Sequence, residues 1–253
     1  MKIAGLQKLT LLDYPGKTAA TVFTYGCNFR CSFCHNAELA NGTKLAVLSQ
    51  HSSLFISEEE FFAFLDKRHE LLDGICITGG EPTLQPDLAD FCARIKAKGF
   101  LIKLDTNGSN PEVLRALLQE NLVDYVAMDI KNSPETYRDT IGLTGDRSHF
   151  ALKAIEESID LLLESTIPFE FRTTVVAQLH SAVTLQACAQ WIAHHAEKNN
   201  HPIQSVAWFL QQFVDSDTVL AGEGHFTSWS EKDLQSLLPT LQAVLPKTEL
   251  RGV

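Results

Sequence analysis

Gly26-Cys27-Asn28-Phe29-Arg30-Cys31-Ser32-Phe33-Cys34-His35-Asn36 places three cysteines within eight residues, spaced C-x3-C-x2-C, directly after the β-branched and aromatic run Thr18 to Tyr25. Such a run predicts a strand, so the cysteines fall on the loop leaving its C-terminal end. Three thiolates on one tight loop can hold three corners of a cubane 4Fe–4S cluster. The remaining cysteines, Cys76, Cys92 and Cys188, stand alone in apolar patterns that read as core packing. One iron would then lack a protein ligand, and an open position on a metal centre marks chemistry rather than a closed structural site. Structural zinc is the competing reading. It needs a fourth Cys or His, and His35 abuts Cys34 too closely to share one tetrahedral ion without strain.

Beyond this stretch, 253 residues with 45% hydrophobic content describe a chain with ample core. αβ barrels of this size are often one domain. A single domain over residues 1–253 is expected, with a core at about 18–213 and a helical extension at about 225–253. No apolar run approaches the ~18 residues of a membrane span, and Met1 to Leu12 lacks the pattern of a signal peptide. Six cysteines in a chain this long are no disulfide scaffold, and a thiolate cluster needs a reducing compartment, so a cytoplasmic location is expected. The formal charge of −10 argues against a nucleic-acid surface.

The strand before the cysteines is followed by roughly thirty residues without periodic pattern, too many for an idle connection and hence a functional segment. Ser57-Glu58-Glu59-Glu60 is a capping-box signature opening a helix to about Glu70. Ile75 to Thr78 is a short buried strand running into Gly79-Gly80-Glu81-Pro82. A helix from about Asp87 to Lys98, closed by Gly99, precedes a strand from Phe100 to Leu104 that ends at Asp105-Thr106-Asn107-Gly108. Pro111 takes the first position of the next helix, and the strand Val123 to Ile130 ends at Met128-Asp129-Ile130-Lys131. Asn132 to Ser148 reads as loop. A helix (about Phe150 to Glu164), a strand (Phe169 to Val176), a helix (Ser181 to His195), a strand (Ile203 to Leu210) and a last helix (about Ser230 to Val244) complete the chain. Six strands alternating with helices predict βαβ crossovers and a parallel sheet. The polar motifs all fall at the C-terminal ends of strands, where parallel αβ folds place ligands.

The cysteine spacing, with an aromatic residue before the last cysteine, resembles the radical S-adenosylmethionine (radical SAM) superfamily. Gly79-Gly80-Glu81-Pro82 resembles that family's Gly-Gly-Glu-Pro motif. The resemblance spans about Leu6 to Phe213 and implies an α/β fold, a partial (β/α)6 barrel open enough to admit a peptide loop. It implies that Cys27, Cys31 and Cys34 carry a 4Fe–4S cluster whose fourth iron is chelated by the amino and carboxylate groups of S-adenosylmethionine, in a radical SAM oxidoreductase. Cys34-His35-Asn36, Asp105-Thr106-Asn107-Gly108 and Met128-Asp129-Ile130-Lys131 resemble activating enzymes of glycyl radical enzymes, the pyruvate formate-lyase activators among them. By that resemblance Phe33 lies beside the adenine, Asn36 near the cofactor, and Gly79, Gly80, Glu81 and Pro82 at its methionine end. Asp105 contacts the cofactor, and Asn107, Lys131 and Arg172 occupy matching strand-end places. Asp105, Thr106, Met128 (through its carbonyl) and Asp129 would hold a monovalent cation against the cofactor's carboxylate. On the residues alone, Asn107 is equally a turn former, and Lys131 and Arg172 are equally salt-bridge partners.

Leu11-Leu12-Asp13-Tyr14-Pro15-Gly16-Lys17 and the C-H-N point more narrowly to anaerobic ribonucleoside-triphosphate reductase activating proteins. The implied reaction is reductive cleavage of S-adenosylmethionine and removal of hydrogen from a backbone glycine of a glycyl radical enzyme. A low-potential donor such as flavodoxin or ferredoxin would supply the electron. The chain departs from pyruvate formate-lyase activators at Glu38-Leu39-Ala40-Asn41-Gly42 and at Gln211-Gln212-Phe213, where a partner's peptide would enter. The rivals are an activator of another glycyl radical enzyme, a radical SAM enzyme acting on a small molecule, and a non-catalytic iron–sulfur or zinc protein. No nucleic acid or membrane partner is expected. His194, His195 and His201 read as solvated, and His180 as a residue without an identifiable partner.

Overall fold

The computed structural model describes residues 1–41, 55–143 and 146–252. They form two compact units, residues 1–28, 36–106 and 112–126 in the first, and 29–35, 107–111 and 127 onward in the second. Part of the long segment predicted after the cysteines, 42–54, lies outside the described residues.

In the first unit, β1 (Ile3–Thr10) runs antiparallel to β2 (Ala19–Thr24) with two register shifts. Strand β2 lies parallel to β3 (Gly74–Gly79), pairing Ala19 with Gly74 and Thr24 with Gly79. Strand β3 lies parallel to β4 (Leu101–Thr106). The sequence Ala-Ala-Thr-Val-Phe-Thr of β2 is buried at five of its six positions, as in a strand covered on both faces. Helix α1 (Ala37–Asn41) follows the cysteine loop, and α2 (Glu58–Asp66) opens on the predicted capping box, with Ser57 Oγ accepting from Glu60 N and the Glu60 carboxylate accepting from Ser57 N. Phe61 and Phe62 of α2 meet Phe91 of α3 (Leu88–Ala97) at ring centroid distances of 5.1 and 5.5 Å, building the local core. Helix α4 (Pro111–Gln119) then leads to β5 (Tyr125–Asp129). Asp124 launches this strand: its N–H donates to Ile102 O at 2.8 Å, and its carboxylate accepts from Ile102 N at 2.7 Å and Lys96 Nζ at 2.6 Å.

The second unit takes β5 from Ala127, and Ile130 N donates to Arg172 O at 2.8 Å. Helices α5 (Tyr137–Thr140) and α6 (Asp146–Glu164) precede β6 (Phe169–Val175). Helix α7 (Ala182–Lys198) is capped by Ser181, and α8 (Glu231–Gln242) by Ser230. Strand β6 is parallel to β7 (Ala207–Gln212), and β7 to β8 (Lys247–Arg251). Trp208 is fully buried, and its indole N–H donates to Thr173 Oγ1 at 3.0 Å.

The α/β class and the parallel-rich strand pairing match expectation. Four features do not. Strands β1 and β8 add to the predicted six. Residues Tyr137–Thr140 form a short helix inside the expected loop. The strand expected from Ile203 starts at Ala207, because Ser205 N turns back onto Pro202 O in a 3-10 turn. His195 is 5% exposed rather than solvated, with Nδ1 2.6 Å from Asp160 Oδ1. No helix among the described residues is long and apolar enough to cross a membrane.

Candidate active site

The loop after β2 is stitched to the end of β3 by backbone bonds. Gly80 N donates to Thr24 O at 2.9 Å, Glu81 N to Gly26 O at 2.7 Å, and Gly26 N to Leu39 O at 2.8 Å. Gly79 has φ +115°, which a side chain would strain. Gly80 needs glycine for another reason: a Cβ there would stand 2.0 Å from Gly26 O. The Gly-Gly pair is therefore the packing seat of the residue before Cys27.

Asn36 Nδ2 donates to Gly79 O at 3.1 Å, joining the C-H-N string to the Gly-Gly turn. Glu81 is fully buried. Its Oε1 accepts from Thr83 N at 3.1 Å, Thr83 Oγ1 at 2.6 Å and Thr106 Oγ1 at 2.7 Å, so the carboxylate caps the turn Pro82–Leu84 and braces the end of β4. Asp105 pairs with Lys103 Nζ, two residues back on the same strand face. Lys103 is 2% exposed, a buried cation that the sequence reading passed over although its i, i+2 relation to Asp105 was visible.

In the second unit, Cys31 and Cys34 sit on a loop held at several points. Cys34 N donates to Cys31 O at 3.1 Å, Leu220 N to Cys34 O at 3.0 Å, and Ala221 N to Ser32 O at 2.9 Å. The His35 ring packs 5.1 Å from that of Phe213, and its Nε2 contacts Val214 O. Phe33 is buried. Asp129 Oδ2 accepts from Lys131 Nζ at 2.8 Å, and Oδ1 from Arg172 Nε at 3.0 Å. Burial raises the Asp129 pKa, but these two cations outweigh it and hold the carboxylate at about 2. Burial opposes the charge of Lys131, yet Asp129, Cys31 and Cys34 raise its pKa on balance. His180, left without a partner by the sequence, contacts Lys131 O through Nε2 at 2.9 Å and accepts from Val176 N through Nδ1 at 3.1 Å. Burial lowers its pKa, so it is a neutral strut.

Asn107 is buried and its Oδ1 accepts from Ser109 N at 2.9 Å, the turn-forming role. Gly108 abuts the Met128 side chain, which is itself buried. Among the expected cation ligands, Asp105 and Asp129 each already pair with cations of the protein itself. Cys76, Cys92 and Cys188 are fully buried as expected, and burial pushes the Cys92 thiol up to about 12 and the Cys188 thiol higher still.

These residues fit an iron–sulfur centre by donor type. Cys27, Cys31 and Cys34 are all outside disulfides, and a buried hydroxyl in the second unit, on Tyr137, lacks a hydrogen-bond partner. No group of three or more His, Cys, Asp and Glu among the described residues meets the geometry of a single-ion site. Cubane ligands differ, since each holds its own iron.

Comparison with known proteins agrees. A Methanocaldococcus jannaschii protein named, provisionally, a glycyl-radical enzyme activating enzyme is 35% identical over 191 residues, covering 75% of each chain. The pyruvate formate-lyase-activating enzyme of Clostridium pasteurianum is 30% identical over 160 residues, 61% of this chain and 63% of that one. A crystal structure of a domain of pyruvate-formate lyase-activating enzyme from Bacteroides vulgatus superposes with TM-score 0.54 at 17% identity, covering 71% of this chain and 99% of the domain. Residues 21–175 match the Radical SAM superfamily, and that match spans the cysteine loop, the Gly-Gly-Glu-Pro turn, Asp105, Asp129 and Arg172. The chain is an enzyme of the radical SAM superfamily.

Proposed function

We propose that this enzyme activates a glycyl radical enzyme, taking a hydrogen atom from a backbone glycine of that protein, and that the partner is an anaerobic ribonucleoside-triphosphate reductase. The observation that carries the activating role is the 35% identity, over three quarters of both chains, to the M. jannaschii relative named for that role. The narrower partner rests on Leu11 to Lys17 and on Cys34-His35-Asn36. A pyruvate formate-lyase type of partner is the second reading, favoured by the C. pasteurianum relative.

Membership of the superfamily brings a 4Fe–4S cluster and S-adenosylmethionine as cofactors. When bound, they supply a one-electron cleavage of the C5′–S bond that releases methionine and yields a carbon radical able to take hydrogen. Cys27, Cys31 and Cys34 would hold the cluster. The Gly79–Pro82 turn, fixed by Asn36 and by the buried Glu81, would present backbone to the methionine end. Gly79 O retains a second lone pair for an ammonium while accepting from Asn36. Lys131 and Arg172 share the single carboxylate of Asp129, which leaves one excess positive charge to meet the carboxylate of the cofactor. A monovalent cation at Asp105, Thr106, Met128 and Asp129 would compete with Lys103, Lys131 and Arg172 for the two carboxylates. The electron would come from a low-potential donor of the flavodoxin or ferredoxin type.

The test mixes anaerobically reconstituted, reduced enzyme and S-adenosylmethionine with each candidate partner. A carbon-centred EPR doublet on the reductase, absent when its acceptor glycine is alanine, is the expected result. A doublet on pyruvate formate-lyase alone moves the assignment to the second reading. 5′-Deoxyadenosine formed only with a small molecule, and no doublet on either protein, overturns both.

A further inference from the structure

Tyr137 opens α5, is 2% exposed, and packs its ring edge-on to Trp191 at 5.9 Å. Its hydroxyl is the buried side-chain polar atom that, among the described residues, has no hydrogen-bond partner. A buried O–H without an acceptor is unfavourable, and each one that a native fold keeps calls for an explanation. The position says what that is. Ile141 N donates back to Tyr137 O at 3.0 Å, and Ile141 O accepts from the N–H of Arg30, the residue before Cys31, at 2.9 Å. At Gly142 an added Cβ would stand 2.5 Å from Arg30 O, so the end of α5 rests directly on the cysteine loop. Asn132 Nδ2 donates to Thr140 Oγ1 at 2.9 Å, tying the same short helix to the segment after Lys131.

The charges around the phenol belong to the site. Burial raises the Tyr137 pKa first; Lys131 lowers it, and Cys31 and Asp129 raise it. The phenol has no hydrogen-bond partner, which leaves its O–H proton unspent. A phenol is protonated at neutral pH, so its O–H is a donor.

We propose that Tyr137 is a positioning residue for the iron–sulfur centre, its hydroxyl donating to sulfur at the Cys31 corner of the bound cluster. This rests on the reading that Cys27, Cys31 and Cys34 carry that cluster. A donor aimed at a cluster sulfur draws electron density from it and raises the reduction potential. Tyr137 would thus set how readily the cluster accepts its electron, while taking no part in the reaction itself.

Tyr137→Phe deletes the hydroxyl and keeps the ring. In cofactor-free protein the variant should unfold at or above the temperature of the unmutated enzyme, because it removes an unsatisfied group. Loaded with iron and sulfide to equal content, it should reduce less readily by about three- to tenfold in the one-electron equilibrium, the effect of one hydrogen bond. Electron–nuclear double resonance in deuterated buffer should show an exchangeable deuteron coupled to the reduced cluster in the unmutated enzyme, lost in the variant. Equal potentials and equal deuteron spectra overturn the proposal while leaving the cluster standing. Failure of the unmutated enzyme to take up iron overturns the cluster reading beneath it. If the variant fails to fold, the deuteron spectrum of the unmutated enzyme decides alone, and absence of a coupled deuteron refutes the proposal.

Discussion

Gly80→Ala adds one methyl group, and the place it would occupy is already filled by backbone. An ideal Cβ stands 2.0 Å from Gly26 O and 2.6 Å from Gly26 C, and neither atom can rotate away. Reaching the 3.4 Å of ordinary contact separates the Gly-Gly turn from the residue that precedes Cys27. That movement breaks the 2.7 Å bond from Glu81 N to Gly26 O and strains the 2.9 Å bond from Gly80 N to Thr24 O. Two backbone bonds at about 1 kcal/mol each, with about 1–2 kcal/mol of overpacking, give about 3–4 kcal/mol of destabilisation. At about 2–4 °C per kcal/mol for a chain of this size, the midpoint should fall by roughly 6–16 °C. Thermal unfolding of the cofactor-free variant, followed by far-UV circular dichroism, reads the shift directly. Iron uptake should fall in parallel, since Cys27 follows the displaced residue. A variant that unfolds at the original temperature and loses only S-adenosylmethionine binding would show that the methyl group had found ligand space, and the steric reasoning would be wrong.

Cys27→Ala, Cys31→Ala and Cys34→Ala should each abolish stoichiometric iron loading in a colorimetric iron assay. Alanine at Cys76, Cys92 or Cys188 should preserve loading and cost about 1 kcal/mol in urea unfolding, the effect of a small cavity. Asp129, held at about 2 against an unfolded value near 3.8, contributes stability that is complete above about pH 4 and lost as pH falls through 2. Asp129→Asn should therefore flatten the acid limb of a stability–pH curve and remove on the order of 2 kcal/mol at neutral pH; an unchanged acid limb contradicts the ion-pair account. Thr106→Val withdraws one of the donors to the buried Glu81 carboxylate and should destabilise by about 1–2 kcal/mol, with Thr106→Ser restoring most of it in the same unfolding assay.

The elements most legible in the sequence were those whose local chemistry and tertiary role coincide. Ser57, Ser181 and Ser230 all cap the helices they were read to start. The parallel strands announced themselves as short apolar runs, because β2 and β3 are buried on both faces. Edge strands carry no such mark. Lys-Thr-Glu-Leu-Arg of β8 buries only Thr248, and depends on pairs distant in sequence, Arg251 with the buried Glu170 at 2.9 Å and over the Phe209 ring at 3.8 Å. Strand β1 likewise has Leu9 59% exposed and two register shifts, so its alternation is blurred. In the site, residue types were readable and their partners were not. Glu81 was read as a ligand group, and the fold adds a bracing role by placing two threonine hydroxyls on one of its oxygens. The orphan hydroxyl of Tyr137 lay in a stretch read as loop, and burial without a partner is invisible until the chain is folded.

Electron–nuclear double resonance on the anaerobically reconstituted, reduced enzyme tests the central claim most directly, using S-adenosylmethionine isotopically labelled at its amino nitrogen and its carboxylate oxygens. Three thiolates from Cys27, Cys31 and Cys34 leave one iron open, so both labels should couple to the cluster, and both couplings should vanish when S-adenosylmethionine is omitted. A cluster that forms yet shows neither coupling, with every iron held by the protein, would contradict the account.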